Sequence, residues 1–220
     1  PQSILLDFEK AAHKGFQDVY PEVALSGCFF HLRQAVYRKV TELSLHVQYQ
    51  ENLPFQMLVK SLSGLAFVPP DNVEEIFDTL SEAFPEEEDV DLLLSYFKST
   101  YIQGPVIRRV RRPAMFPIGL WNHYEHALRR EPKTTNCAEG WHNTLRSLFM
   151  ASHPSIWTFF RGINKDIAIQ RLVIVNDDMA NGRRPTKKYA DLAQRLSVKV
   201  ASFHEEVDKL KYLRYVSYML

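Results

Sequence analysis

The chain has 220 residues, 45% of them hydrophobic and 12% aromatic, which excludes a disordered protein and allows a substantial core. Its net charge of +1, from 27 basic and 26 acidic residues, excludes a general polycation, so any nucleic-acid contact must come from local clusters. Its two cysteines do not indicate a disulfide-stapled secreted scaffold, and no apolar run reaches the roughly 20 residues of a membrane helix. We expect an intracellular, soluble protein with no membrane contact.

The first part of the chain alternates the patterns of strands and helices. Apolar runs predict strands over residues 4–6 and 23–30, and apolar side chains at helical spacing predict helices over 8–19 and 31–45. This order is typical of an α/β sheet covered by helices. Because the chain opens on what reads as an inner strand, we also expect a fragment or a shortened copy.

The rest of the chain shows helical patterns without strands. Helices are predicted over 58–67, 72–84, 89–101, 120–130, 137–150, 155–175, 189–196 and 202–213. The predicted fold class is α/β, with a strand–helix–strand–helix core interrupted by an all-helical insertion and followed by a helical C-terminal part. The predicted boundaries are 1–48 for the core, 49–133 for the insertion, 134–176 for core helices and 177–220 for a C-terminal extension.

Asp7 follows the first predicted strand, at the end where open α/β sheets place functional groups. A carboxylate there can reach a metal ion while the strand holds it in place. The structural alternative is that Asp7 caps a helix beginning at Phe8. Position alone favours the cap slightly.

A Cys-x-x-His pair, Cys28 and His31, follows the second predicted strand and can supply two zinc ligands. A complete zinc site would need Cys137 and His142, whose spacing on one helix is poor. We therefore favour a buried thiol with a hydrogen-bonded histidine over structural zinc.

The densest polar signal is the helix start that contains Glu139. With Asn136, Glu139 is close to a capping box, which is the structural alternative. Yet Glu139, His142, Asn143 and Arg146 share one helical face. Such a face is suited to a metal ion and a phosphate.

Two basic clusters suit phosphate contact. One contains Arg108, Arg109, Arg111 and Arg112, and lies in an extended or loop-like segment between two prolines. The other contains Arg183, Arg184, Lys187 and Lys188. Basic loops are also common on ordinary surfaces, and the sequence leaves both interpretations open.

Taken in order, three motifs resemble one family. Leu-Leu-Asp-Phe-Glu-Lys-Ala over residues 5–11, Gly-Cys-Phe-Phe-His over 27–31 and Asn-Cys-Ala-Glu-Gly-Trp-His-Asn over 136–143 look like the ordered hallmarks of Mutator-like element transposases. The resemblance extends from residue 1 to about 175 and loosely to the C-terminus. Each motif is moderately specific, and their order around a long insertion is more so.

The resemblance implies an RNase H-like catalytic core with a helical insertion. It implies that Asp7 and Glu139 are the second and third carboxylates of the D-D-E triad and ligate Mg²⁺ or Mn²⁺. Cys28 and His31 match the accompanying Cys-x-x-His motif, and Asn143 matches an asparagine that follows the glutamate. DNA, both transposon ends and target, would be the partner, with homo-oligomers among the assemblies that the family suggests and the nucleus as location.

The departure from the family pattern is the first aspartate, which no residue of this sequence matches. Because two-metal phosphodiester chemistry needs it, we expect the chain as given not to cut DNA. The competing hypothesis is a domesticated module that keeps DNA or protein binding without catalysis. A third reading is a helical interaction protein with a small zinc site.

Overall fold

The computed structural model describes residues 3–134, 140, 143, 146–149, 153–179 and 187–220. Its strands are β1 (Ser3–Leu6), β2 (Ala24–Gly27), β3 (Val106–Ile107) and β4 (Val110–Arg111). The helices up to the first of the two basic clusters are α1 (Lys10–Val19), α2 (Phe29–Glu42), α3 (His46–Glu51), α4 (Leu53–Gly64), α5 (Val73–Ser81) and α6 (Glu88–Phe97). The later helices are α7 (Ile118–Trp121), α8 (Tyr124–Leu128), α9 (Ile156–Met179), α10 (Lys187–Ala201) and α11 (Lys209–Tyr218).

The predicted strand–helix–strand–helix start is confirmed. β1 and β2 pair in parallel, in a register that joins Ser3 to Ala24 and Leu6 to Gly27. α1 connects the two strands, because parallel strands need a crossover of this kind. The observed protein is mostly helical, with this small parallel pair and a two-stranded antiparallel hairpin formed by β3 and β4.

One apolar core joins early, middle and late parts of the chain. α2 buries Leu32, Val36 and Val40 at helical spacing, since residues three or four apart share a face. α4, α5 and α6 contribute to the same cluster, and so does α11 near the C-terminus. After α6 the chain makes one π-helical turn, Lys98–Ile102, which buries Tyr101.

The sequence predicted an all-helical insertion over residues 49–133, and this prediction is wrong because the segment contains two short strands. β3 and β4 form a hairpin over part of the basic segment that includes Arg108 and Arg109. The helical pattern could not show this hairpin, because each strand has only two paired residues.

The single helix predicted over 120–130 is two short helices, α7 and α8. They are separated by Asn122 and His123, both buried. Asn122 donates from Nδ2 to the Val68 carbonyl, and the His123 backbone N–H donates to the Ala66 carbonyl. These contacts to a neighbouring segment replace the hydrogen bonds that would continue the helix.

Contacts divide the chain into two units, residues 1–134 with 191–220, and residues 135–190. In the second unit, α9 begins one residue later and ends four residues later than the helix predicted over 155–175. Most of the helix predicted over 137–150 lies outside the described residues. None of the helices in the described part of the chain is long and apolar enough to cross a membrane.

Candidate metal centre at the ends of the parallel strands

Asp7 and Cys28 each follow the last paired residue of a parallel strand. Leu6 is the partner of Gly27, so the next residue of each strand leaves the sheet at the same edge. The Cys28 backbone N–H donates to the Leu6 carbonyl over 2.7 Å, which continues the ladder by one step. His31 lies in the first turn of α2. The local fold therefore brings three residues of the sequence motifs together.

The geometry of these three residues is that of a small ligand cluster. One ligand atom from each of Asp7, Cys28 and His31 lies within 4.8 Å of the other two. Nδ1 of His31 is 2.9 Å from Oδ1 of Asp7. This Nδ1 is screened from solvent and forms no hydrogen bond with any of the described residues.

Exposure distinguishes the three side chains. The Asp7 side chain is 56% exposed and that of His31 25% exposed, whereas Cys28 is fully buried. Asp7 and His31 line one wall of a cavity of about 410 Å³. Of the three side chains, the Asp7 carboxylate is therefore the most accessible to a ligand.

The alternative that Asp7 caps a helix beginning at Phe8 is wrong. α1 begins at Lys10, and Glu9 is its N-cap residue. The imidazole of His13, one turn into α1, instead contacts the Asp7 backbone carbonyl at 2.6 Å. Asp7 thus lies between β1 and α1, and its backbone carbonyl is held by residues that follow it.

Phe8 is placed by a close approach to Gly27. A Cβ atom on Gly27 would lie 2.6 Å from the Phe8 ring, so a larger residue at this position would push the ring aside. Phe8 also packs edge-on against Phe116, with ring centroids 4.9 Å apart. The residue after Asp7 is therefore held by the core.

Two further polar side chains of this cavity were not predicted from the sequence. Gln34 and Arg38 follow His31 on one face of α2, and Arg38 donates to the Gln34 side-chain carbonyl over 2.8 Å. Helical spacing from His31 is the signal that would have found them. Arg38 brings a guanidinium, which suits a phosphate, to the cavity that contains the Asp7 carboxylate.

The donor set tests which cation fits. The 2.9 Å between the Asp7 and His31 atoms is the distance of a direct ion pair and selects no particular cation, so the donor types decide. Mg²⁺ and Mn²⁺ prefer oxygen, and the Cys28 sulfur suits softer metals. Asp7 fits the expected Mg²⁺ or Mn²⁺, and Cys28 does not.

The other predicted site residues are not part of this cluster as described. Glu139, His142, Arg183 and Arg184 lie outside the described residues, as does Cys137 of the zinc alternative. Four further predicted residues are exposed in the second unit, and these are Asn143, Arg146, Lys187 and Lys188. The four arginines from Arg108 to Arg112 are exposed in the first unit.

Comparison of the chain with models of known protein families, with curated proteins and with solved structures found no match.

Proposed function

We propose that this chain is part of the catalytic domain of a Mutator-like transposase, with an RNase H-like core in which Asp7 ligates a divalent cation. The observation that carries the proposal is the meeting of Asp7, Cys28 and His31 at the edge of the parallel strands. These residues come from two of the three motifs that resemble the family. Residues of one site must lie close together, and the ligand atoms of these three lie within 4.8 Å of one another.

Each residue then has a distinct role. Asp7 supplies a carboxylate oxygen to Mg²⁺ or Mn²⁺, and Glu139 supplies a second one by the family pattern. The His31 ring lies against the Asp7 carboxylate and positions it. The Cys28 side chain is fully buried and packs the end of β2 against α2 rather than binding metal.

The reaction of the complete site is displacement at a phosphodiester. The oxygen of a water or a 3′-hydroxyl attacks phosphorus and gives up its proton, the bond from phosphorus to the leaving 3′-oxygen breaks, and the leaving oxygen takes up a proton. Asp7 and Glu139 would hold the divalent cations, which would activate the attacking oxygen and stabilise the charge on the leaving one. Arg38 faces the same cavity and would hold a non-bridging phosphate oxygen.

The decisive experiment is a titration of the 220-residue chain with Mn²⁺ and, separately, with Zn²⁺. We expect Asp7→Asn to abolish specific Mn²⁺ binding and His31→Ala to weaken it by about 10- to 100-fold, as for residues that orient a ligand. Cys28→Ala should leave Mn²⁺ affinity unchanged. Asp18→Asn, an exposed carboxylate of α1, is the charge-matched control.

The same proteins are then incubated with a DNA duplex and Mn²⁺. We expect no strand cleavage, because these 220 residues hold matches to two of the three carboxylates. Zn²⁺ binding that depends on Cys28, without Mn²⁺ binding, would replace the proposed site with a zinc site. Robust cleavage that depends on Glu139 would contradict the expected need for a third carboxylate.

A further inference from the structure

The β3–β4 hairpin has an unusual turn. Val106 pairs with Arg111 and Ile107 with Val110, so Arg108 and Arg109 form a two-residue turn. Both have positive φ, 51° and 66°. Two-residue hairpin turns with two positive φ values favour Asn-Gly, because a Cβ atom crowds the backbone in this conformation. Arginine at both positions is therefore conformationally unfavourable.

The hairpin is exposed along its whole length. Residues 105–113 are all solvent-exposed, including the apolar side chains of Val106 and Val110, which are 59% and 58% exposed. Arg111 donates to the Gln103 side-chain carbonyl. Within the described residues, Arg108, Arg109 and Arg112 form no ion pair with a carboxylate. The tip thus presents positive charge that no carboxylate in the described part of the chain neutralises.

The base of the hairpin is fixed to the core. A Cβ atom on Gly104 would lie 2.1 Å from the Pro113 carbonyl oxygen, so the two ends approach too closely for any other residue. The Arg112 backbone N–H donates to the Pro105 carbonyl over 3.0 Å. Beyond the hairpin, buried Phe116 packs on Phe8.

This base lies beside the candidate metal centre. Met115 and Phe116, which follow the hairpin, line the same cavity as Asp7 and His31. A nucleic acid bound by the hairpin would therefore have part of its backbone close to that cavity.

We propose that residues 105–113 form a β-ribbon that enters the major groove of duplex DNA. The major groove of B-DNA, about 12 Å wide, admits a two-stranded ribbon. The major groove of A-form RNA is too deep and narrow to be read in this way. Arg108 and Arg109 at the tip reach base edges and inner phosphates, and Arg112 holds the flanking backbone. The apolar side chains contact thymine methyl groups.

The unfavourable turn supports a functional reason for the two arginines. Residues held in sparsely populated backbone conformations persist where they serve a site. If the turn only had to connect two strands, Asn-Gly would be the better sequence. What the protein does with the bound DNA rests on the proposed function, whereas binding of the hairpin to DNA needs no metal ion.

The test is the double variant Arg108→Asn/Arg109→Gly, which removes two charges and at the same time gives the turn its preferred residues. In EDTA, we expect its affinity for a duplex of about 20 base pairs, two helical turns, to fall by at least about tenfold. The slope of log affinity against log salt should decrease by up to about 2, since each phosphate contact contributes about 0.9. The midpoint of thermal unfolding should stay equal or rise.

Two further variants complete the design. Arg195→Gln/Arg214→Gln removes the same charge from exposed positions of the same unit and should leave the slope unchanged. Arg108→Lys/Arg109→Lys keeps the charge but loses the planar fork, so it should keep the slope and reduce discrimination between DNA sequences.

Unchanged duplex affinity in the Asn-Gly variant would overturn the proposal, and so would an equal loss in the Arg195/Arg214 control. A lower unfolding midpoint in the Asn-Gly variant would overturn the argument from the unfavourable turn. Asp7→Asn should bind duplex DNA in EDTA as the wild type does. If the proposed metal site is wrong, only the Mn²⁺ titration will contradict it. If the proposed β-ribbon is wrong, only the DNA-binding measurements will contradict it.

Discussion

The fully buried imidazole of His123 forms a hydrogen bond with the strand that leads to Cys28 of the candidate metal centre. Its Nε2–H donates to the Gly27 carbonyl over 2.9 Å, one residue before Cys28. Nδ1 has no hydrogen-bond partner in the described part of the chain. Burial lowers the pKa of His123 from 6.5 to about 4, with His126 and Lys133 adding to the effect against the hydrogen bond to Gly27. The folded protein therefore holds this ring neutral.

The lowered pKa predicts acid sensitivity. Between pH 6.5 and about 4 the unfolded chain takes up a proton at His123 that the folded chain does not. The stability that depends on the neutral ring is thus present above pH 6.5 and is lost as pH falls toward 4, by up to roughly 3 kcal/mol. Urea unfolding at pH 7 and 4.5 measures this loss.

The comparison variant is His123→Gln, which still donates to Gly27 but cannot titrate. We expect it to be less stable at pH 7 and to show a smaller loss between pH 7 and 4.5 than the wild type. His46→Gln changes an exposed histidine and should keep the wild-type loss. A His123→Gln protein with the wild-type pH dependence would rule out His123 as its source.

At the scale of elements, the hairpin depends on the close contact at its base. Gly104→Ala would place a Cβ atom 2.1 Å from the Pro113 carbonyl oxygen, where backbone rather than a flexible side chain must move. We expect a loss of about 1–3 kcal/mol in the free energy of unfolding and weaker duplex binding. Denaturant unfolding measures the first effect, and the DNA titration in EDTA the second.

Gly119→Ala is the matched control. Gly119 lies in α7, and an added Cβ atom would meet no atom within 4 Å. Alanine is the better helix former, so this variant should be neutral or up to about 1 kcal/mol more stable. Equal effects of the two alanines would show that the hairpin base is less constrained than the structure indicates.

The parallel strands and the metal ligands show what the sequence could predict. The apolar run before Asp7 and the Cys-x-x-His pair after the second strand are local patterns, and carboxyl ends of parallel strands meet at one edge. Their proximity follows from those patterns. The resemblance to Mutator-like transposases and the role of Glu139 stay predictions.

Other features depend on distant contacts and were not predictable. Asn122 and His123 break a helical pattern because Val68, Ala66 and Gly27 offer hydrogen-bonding partners from far along the chain. The hairpin lacked the Asn-Gly signal, since its turn is Arg-Arg. Helical spacing places Arg38 on the His31 face of α2, but only the fold shows that a cavity joins this face to the strand ends.

At the scale of the whole molecule, residues from the C-terminal part of the chain complete the apolar core of the unit that holds the candidate site. α11 packs on α4 and buries Tyr212, Leu213 and Val216 completely. The Tyr212 hydroxyl donates to the Phe67 carbonyl over 2.6 Å, and burial raises the pKa of this phenol. The residues after 190 thus complete the core that begins with α2.

This closure predicts that the candidate site cannot fold without the last helix. A buried leucine, tyrosine or similar side chain contributes about 2–5 kcal/mol, whereas a domain is stable by about 5–15 kcal/mol in total. Deleting residues 209–220 should therefore abolish the cooperative thermal transition and specific Mn²⁺ binding together. Leu213→Ala should lower the free energy of unfolding by about 2–5 kcal/mol, whereas Val207→Ala, at a position 95% exposed, should change it little. A truncated chain that still unfolded cooperatively and bound Mn²⁺ would show that the core is sufficient without the last helix, since Leu196, Val200 and Phe203 would remain in it.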